Sequence, residues 1–232
     1  MKLPWVGLPG KAVDFFFPAW CLGCGQEGTL LCPSCRSGLP RLLPPLCPRC
    51  GEPQALEPCP FCRGRQLSID SIRSPYRFEG LIRRALIPFK YHNLRVLAAP
   101  LARLMYDYLA SHPFPADAVA PVPLHPSRQR RRGYNQASLL ALELGRLAGL
   151  PVVETSLRRT RPTPLQAQVT GREERRRNVL GAFLSRDQSL KGKGVLLVDD
   201  ICTTGATLHA AAQALKAGGA HSVWGLTVAR EV

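Results

Sequence analysis

The sequence predicts an α/β protein: a mainly parallel sheet with helices on both faces, preceded by a small N-terminal module organised by cysteines. Three observations carry this expectation. Short aliphatic runs alternate with helical segments from Asp117 onward, Val195 to Val198 is continuously apolar, and eight of the nine cysteines are confined to positions 21–62. Strands separated by helices require crossover connections, and crossovers generate parallel sheets.

The strands and helices can be read in order. DAVAPVP (117–123) reads as a buried strand. A helix follows, with Ala137, Leu140, Ala141, Leu144 and Ala148 recurring at intervals of three and four. PVVE (151–154) reads as a short second strand, and VLLVDD (195–200) is the clearest one. A continuously apolar strand of this kind belongs in a sheet covered on both faces. Residues 206–217 then read as a helix, with Leu208, Ala211, Ala212 and Leu215 on one face, and HSVWGLTVA (221–229) as the last strand. Upstream, Gly80 to Met105 carries apolar positions at helical spacing, interrupted by Pro88 and Pro100, with FKYHN (89–93) between two predicted helices. Lys90 in that stretch reads as a solvated surface lysine, although a phosphate is within its chemical range.

The cysteines form four C-x2-C pairs: Cys21 and Cys24, Cys32 and Cys35, Cys47 and Cys50, Cys59 and Cys62. Each pair puts two thiolates on one side of a tight turn, and two such turns complete a tetrahedron around Zn2+. The intervening sequence is rich in proline and poor in long apolar runs, so burial alone cannot hold it and metal supplies the missing stability. A disulfide framework would require an oxidising compartment, and no secretion signal is read in MKLPWVGLPGKAVDFFFPAW (1–20). All-cysteine sites are closed, which assigns two structural zinc ions rather than catalytic ones. Sequential pairing of the ligands is simplest; an interleaved pairing satisfies the same spacing. The expected division is 18–65 for the double zinc ribbon and 66–232 for the α/β part, with 66–116 a helical connection and 117–232 the core sheet.

The stretch VLLVDDICTTGAT (195–207) is the strongest site signal. It runs from apolar strand to paired acids to a loop of small and hydroxylated residues that opens a helix. Ligands on parallel sheets bind beyond the carboxyl ends of the strands. Backbone N–H groups at a helix N-terminus bind phosphate, and small residues let the anion approach. Asp199 and Asp200 suit a pair of ribose hydroxyls, and Thr203, Thr204, Gly205, Ala206 and Thr207 suit a 5′-phosphate. Cys202 has no histidine near it in sequence and reads as a packing residue.

Two arginine-rich stretches accompany this site. PVPLHPSRQRRRGYNQ (121–136) follows a strand and reads as a loop, where Arg128, Arg130, Arg131, Arg132 and the backbone around Gly133 can neutralise a diphosphate, Arg128 and Arg132 foremost. RRTRPTPLQAQVTGREERRRNVLGAF (158–183) is long and polar, contains no convincing strand and reads as a functional lid or a disordered segment, with Arg172, Arg175 and Arg176 as further phosphate contacts. The whole chain carries 25 Arg and 6 Lys for a formal net charge of +15, which favours a polyanionic partner. Apolar residues at 45% and charged residues at 20% exclude a disordered chain, and no stretch approaches the roughly 20 apolar residues of a spanning helix. Cytoplasmic placement is expected.

VLLVDDICTTGAT resembles the phosphoribosyl-pyrophosphate (PRPP) signature of type I phosphoribosyltransferases. Together with the double C-x2-C ribbon, VPLHPSRQRRRGYNQ, and the Thr163, Gln166, Arg175, Asn178 pattern ending in GAF, it is similar to the ComF family (competence protein F and the related GntX proteins). The resemblance implies a type I phosphoribosyltransferase-like sheet and PRPP binding with Mg2+. The acids would hold the ribose hydroxyls, the following loop the 5′-phosphate, and residues 158–183 would form the hood. It also implies a role in natural transformation: handling incoming single-stranded DNA on the cytoplasmic side, at the inner face of the membrane through a DNA-uptake helicase and a recombination mediator. The alternative it leaves is an active Mg-dependent transfer of ribose 5-phosphate to a nucleobase or amine acceptor. No acceptor pocket and no general base are visible in the sequence. The hood is about one residue longer than the family pattern.

Overall fold

Val195 to Val198 are fully buried, and the strand they belong to sits in the interior of a parallel sheet. The computed structural model describes residues 19–53, 59–60, 62–63, 67–162 and 171–232. Its contacts divide the chain into two compact units, Met1–Leu39 and Pro40–Val232.

In the first unit, Cys32 caps the short helix α1 (Pro33–Ser37) by accepting from the Cys35 N–H at 3.4 Å. The Cys32 N–H in turn donates to Cys21 Sγ at 3.4 Å. Cys21, Cys24, Cys32 and Cys35 bring their sulfurs within 4.8 Å of one another. In the second unit Cys47, Cys50, Cys59 and Cys62 do the same. The pairs Cys24–Cys32, Cys50–Cys59 and Cys47–Cys62 have sulfurs 3.7, 3.7 and 3.8 Å apart. Four thiolates bound to one zinc at about 2.3 Å stand ~3.8 Å apart, so both sets fit that ion. The ligands are grouped sequentially, four and four.

The second unit then builds the sheet. Strands β1 (Ser71–Arg73) and β2 (Tyr76–Arg77) precede helices α2 (Gly80–Tyr91) and α3 (Ala98–Ser111). Strand β3 (Ala118–Pro121), helices α4 (Pro126–Arg132) and α5 (Gln136–Ala148), strand β4 (Leu157–Arg159), helix α6 (Arg172–Val179) and strand β5 (Phe183–Ser185) follow. Strand β6 (Gly194–Cys202), helix α7 (Ala206–Ala217) and strand β7 (Ser222–Arg230) complete it. The sheet order is β1-β7-β6-β3, with β2 also on β7, and every pairing is parallel. Val195 and Leu197 pack with Leu208, Ala211 and Leu215 of α7, while the alternation of the strand turns Leu196 and Val198 to the face covered by α3 and α5. Each such side chain contributes about 1.5–3 kcal/mol by burial.

Helix α7 spans the range expected for it, and β3, β6 and β7 lie within a residue or two of theirs. Four features differ from the sequence reading. PVVE contributes a single bridge, Val152 to Val119, because the chain enters it from the left-handed Gly149 and leaves the ladder after Val153. The arginine stretch is helical over Pro126–Arg132: proline presets the first turn, the His125 ring accepts from Ser127 N, and Gly133 (φ 83°) ends it. The polar stretch 158–183 is framed at its two ends by β4 and β5, paired antiparallel, and contains helix α6. Its strands are only three residues each, too short for an alternating pattern to be read. Strands β1 and β2 were not anticipated, being three and two residues long.

Metal analysis of protein purified without chelator is expected to return close to two zinc ions per chain, one for each cysteine set. A content far below two would contradict the metal-built reading.

Candidate functional site

Asp199 and Asp200 stand near the carboxyl end of β6, where the strand emerges from its apolar neighbours. They line a cavity of about 190 Å3 together with Thr203, Gly205, Ala206 and Thr207. Gly205 has φ 74° and caps α7, a left-handed conformation that glycine adopts without strain. Thr204 accepts from the Ala206 N–H at 3.3 Å, so it shapes the turn and does not line the cavity. The other loop residues present the first backbone groups of a twelve-residue helix to the cavity. Cys202 is buried against this turn, and burial pushes its thiol pKa up, in keeping with a packing residue.

The same cavity is also lined by cations. Arg128 and Arg132 of α4, Arg159 at the end of β4 and Lys90 near the end of α2 all line the cavity. The GYNQ residues after α4 explain how they are held. Gly133 terminates α4, and the buried Tyr134 donates its hydroxyl to the Phe89 carbonyl, one residue before Lys90. Asn135 donates to Val122 O at 3.0 Å and accepts from Ala137 N at 3.1 Å, joining the end of β3 to the start of α5. Gln136 accepts from Arg132, whose guanidinium also lies 5.5 Å from the centre of the Tyr91 ring.

Lys90 is therefore not a solvated lysine. Its Nζ lies 3.1 Å from Asp200 Oδ2 and 3.3 Å from Oδ1, and the Asp200 side chain is almost fully buried. Burial acts to lower the Lys90 pKa, but the Asp200 and Asp199 carboxylates outweigh it and hold the ammonium protonated. Burial, followed by the neighbouring Asp200 charge, pushes Asp199 up to about 7. Arg159 sits over the Phe183 ring at 5.3 Å, and burial, then Arg128, lowers its pKa to about 10. The guanidinium stays charged at neutral pH. Burial and the adjacent Arg132 and Arg131 also lower Arg128. A cluster of mutually repelling, partly desolvated cations facing two carboxylates is matched by a ligand carrying both phosphates and hydroxyls.

Of the residues singled out from sequence, Asp199, Asp200, Thr203, Gly205, Ala206, Thr207, Arg128 and Arg132 meet in this one cavity. The backbone of Arg172, Arg175 and Arg176 lies in α6, but their side chains fall outside the described residues, as do Thr163 and Gln166 of the hood. The N-terminal stretch judged not to be a signal peptide lies outside them too, except for Ala19 and Trp20. Sequence reasoning missed Lys90 and the particular importance of Arg159. Lys90 stands one helical turn after Leu86 on the buried side of α2, the one signal that pointed inward. No described helix is long and apolar enough to cross a membrane.

A half-buried acid with a raised pKa, as Asp199 is, binds its proton more tightly in the folded chain than in the unfolded one. Its contribution favours folding below the unfolded value of about 4 and is lost as pH rises through about 7. Asp199→Asn removes that loss. The melting temperature of the variant minus that of wild type is expected to increase between about pH 5 and about pH 8. A difference that stays flat over this range would overturn the assignment of a proton-holding Asp199.

The comparisons with known proteins agree with this geometry. A phosphoribosyl transferase domain matches residues 96–230, and a double zinc ribbon domain matches residues 12–66. Competence protein ComFC of Bacillus subtilis is 30% identical over 211 residues, covering 86% of this chain and 84% of that one. Competence protein F of Haemophilus influenzae is 31% identical over 229 residues, covering 91% and 97%. DNA utilization protein YhgH of Salmonella typhi is 31% identical over 186 residues, covering 77% and 81%. With its two cysteine sets, its parallel sheet and these relatives along most of its length, the chain belongs to the ComF family, a double zinc ribbon joined to a type I phosphoribosyltransferase-like domain.

Proposed function

We propose that this chain binds PRPP with Mg2+ in the cavity at the end of β6 and acts in DNA uptake, handling incoming single-stranded DNA in the cytoplasm. The observation that carries the ligand is the convergence of one acid pair, one small phosphate-type loop and three arginines on a single cavity. Asp199 and Asp200 take the ribose hydroxyls, the Thr203–Thr207 turn takes the 5′-phosphate, and Arg128, Arg132 and Arg159 take the diphosphate. Mg2+ would neutralise the diphosphate oxygens when bound. Lys90 keeps the acid pair from repelling itself while the site is empty of ligand, and its bond to Asp200 is shared or released when the hydroxyls arrive.

The role in DNA uptake rests on relatives whose names place them in competence and DNA utilization. The charge of +15 supports a polyanionic partner. Arg130 and Arg131, exposed on α4 beside the cavity, extend the basic surface beyond the small-molecule site. A DNA-uptake helicase and a recombination mediator are the protein partners that fit this role, and they would bring the chain to the inner face of the membrane.

A second reading, active transfer of ribose 5-phosphate, is favoured by the buried Arg159. A guanidinium held in the cavity beside Arg128 is placed to stabilise a departing diphosphate, which is where such a reaction develops charge. Pyrophosphate release from PRPP across a panel of nucleobases and amines, with and without single-stranded DNA, separates the two readings.

PRPP with Mg2+ is expected to raise the melting temperature, and the Asp199→Ala/Asp200→Ala variant to lose the shift. No shift of wild type at millimolar PRPP would refute the ligand assignment. Binding to single-stranded DNA is expected to weaken steeply with salt; no binding at low salt would refute the nucleic-acid role.

A further inference from the structure

The second cysteine set reaches the phosphate turn through one buried side chain. Arg230, the last residue of β7, is 1% exposed. Its Nη1 donates to Glu52 Oε2 at 2.9 Å and to the Thr203 carbonyl at 3.2 Å, and its Nη2 donates to the Cys50 carbonyl. Cys50 is a ligand of the second set and Glu52 follows two residues later, while Thr203 is the first residue of the phosphate turn. A buried guanidinium must be partnered, and its planar fork fixes the relative positions of the groups it bridges.

A second path joins the same two places. The Cys47–Cys50 turn gives its Pro48 carbonyl to Ser71 Oγ at 3.0 Å and its Arg49 carbonyl to the Ile72 N–H at 2.8 Å. Ile72 of β1 then packs beneath the phosphate turn: a Cβ added to Gly205 would lie 2.8 Å from Ile72 Cδ1. Gly51, just after the turn, approaches so closely that a Cβ there would lie 2.5 Å from the Ile72 carbonyl. Three successive carbonyls of the turn, those of Pro48, Arg49 and Cys50, are thus all engaged by β1 or Arg230. Zinc bound at Cys47 and Cys50 would hold the turn that carries those carbonyls.

We infer that the second cysteine set is a brace for the phosphate turn, so that zinc held by Cys47, Cys50, Cys59 and Cys62 sets the affinity of the cavity for a sugar phosphate, with Arg230 as the positioning residue. This rests on the ligand reading given above. The coupling acts through the Arg230 fork and the Ile72 contact. It is reciprocal: ligand at the turn must also retain the metal.

The test is the rate at which a colorimetric chelator removes zinc from the full-length, zinc-loaded protein, with and without saturating ribose 5-phosphate, whose binding is checked independently by calorimetry. One of the two zinc equivalents should leave more slowly with ligand, by roughly 5- to 150-fold, the usual span of coupling between sites, and the other should be unchanged. Arg230→Lys keeps the charge and loses the fork; it should retain both zinc ions, bind ribose 5-phosphate about tenfold more weakly and lose the protection. If Arg230→Lys does not fold, the wild-type release rates decide alone. Ribose 5-phosphate that binds while both release rates stay unchanged, or both slow equally, overturns the brace and leaves the ligand reading intact. No binding of ribose 5-phosphate to wild type overturns the assignment of the turn to a sugar phosphate, and the brace with it.

Discussion

Two adjacent carboxylates at the end of a buried strand are the constraint around which the rest of this molecule is arranged. Asp200 is buried and Asp199 half-buried, and the Asp200 charge beside it adds to the cost of ionising Asp199. The chain meets that cost with an ammonium: Lys90, brought in on α2, lies 3.1 Å from Asp200. Its delivery depends on Tyr134 holding the Phe89 carbonyl, and Tyr134 is placed by the Gly133 turn and by Asn135 anchored to Val122. The motif between β3 and α5 is therefore as much a device for positioning Lys90 and the arginines as a set of ligand contacts.

A second constraint is metal. Short connections rich in proline cannot bury enough surface to fix their own backbone, and the cysteine sets supply that rigidity. In the second set the rigidity is used beyond the module, since its carbonyls are bonded to β1 and to the guanidinium of Arg230. The parallel sheet supplies the complementary kind of order, with β6 flanked by β3 and β7 and covered on both faces.

Much of this was legible in the sequence because it is periodic or local. Val195 to Val198, the i, i+3, i+4 pattern of α7 and the C-x2-C spacings are patterns that a single chain writes directly. The acid pair and phosphate turn were legible for the same reason: strand, acids and small loop are contiguous. What escaped depends on partners distant in sequence. Lys90 meets Asp200 across 110 positions, and Arg230 meets Glu52 across 178. Neither residue type nor spacing announces such pairs. The strands β1, β2, β4 and β5 escaped because two or three residues carry no alternation to detect. The helix over Pro126–Arg132 escaped because five of its seven residues are exposed or only partly buried arginine and glutamine, with no apolar stripe.

The central claim is that the cavity at the end of β6 receives a ribose phosphate on a carboxylate pair of which one member, Asp199, is held partly protonated near neutral pH. Calorimetric titration with Mg–PRPP at pH about 7, in two buffers of different ionisation enthalpy, tests it most directly, because a ligand that requires ionised Asp199 must expel the proton it holds. The account predicts binding with release of a fraction of a proton by wild type, and a smaller release by Asp199→Asn. Absence of binding, or equal proton release by the two proteins, would contradict it.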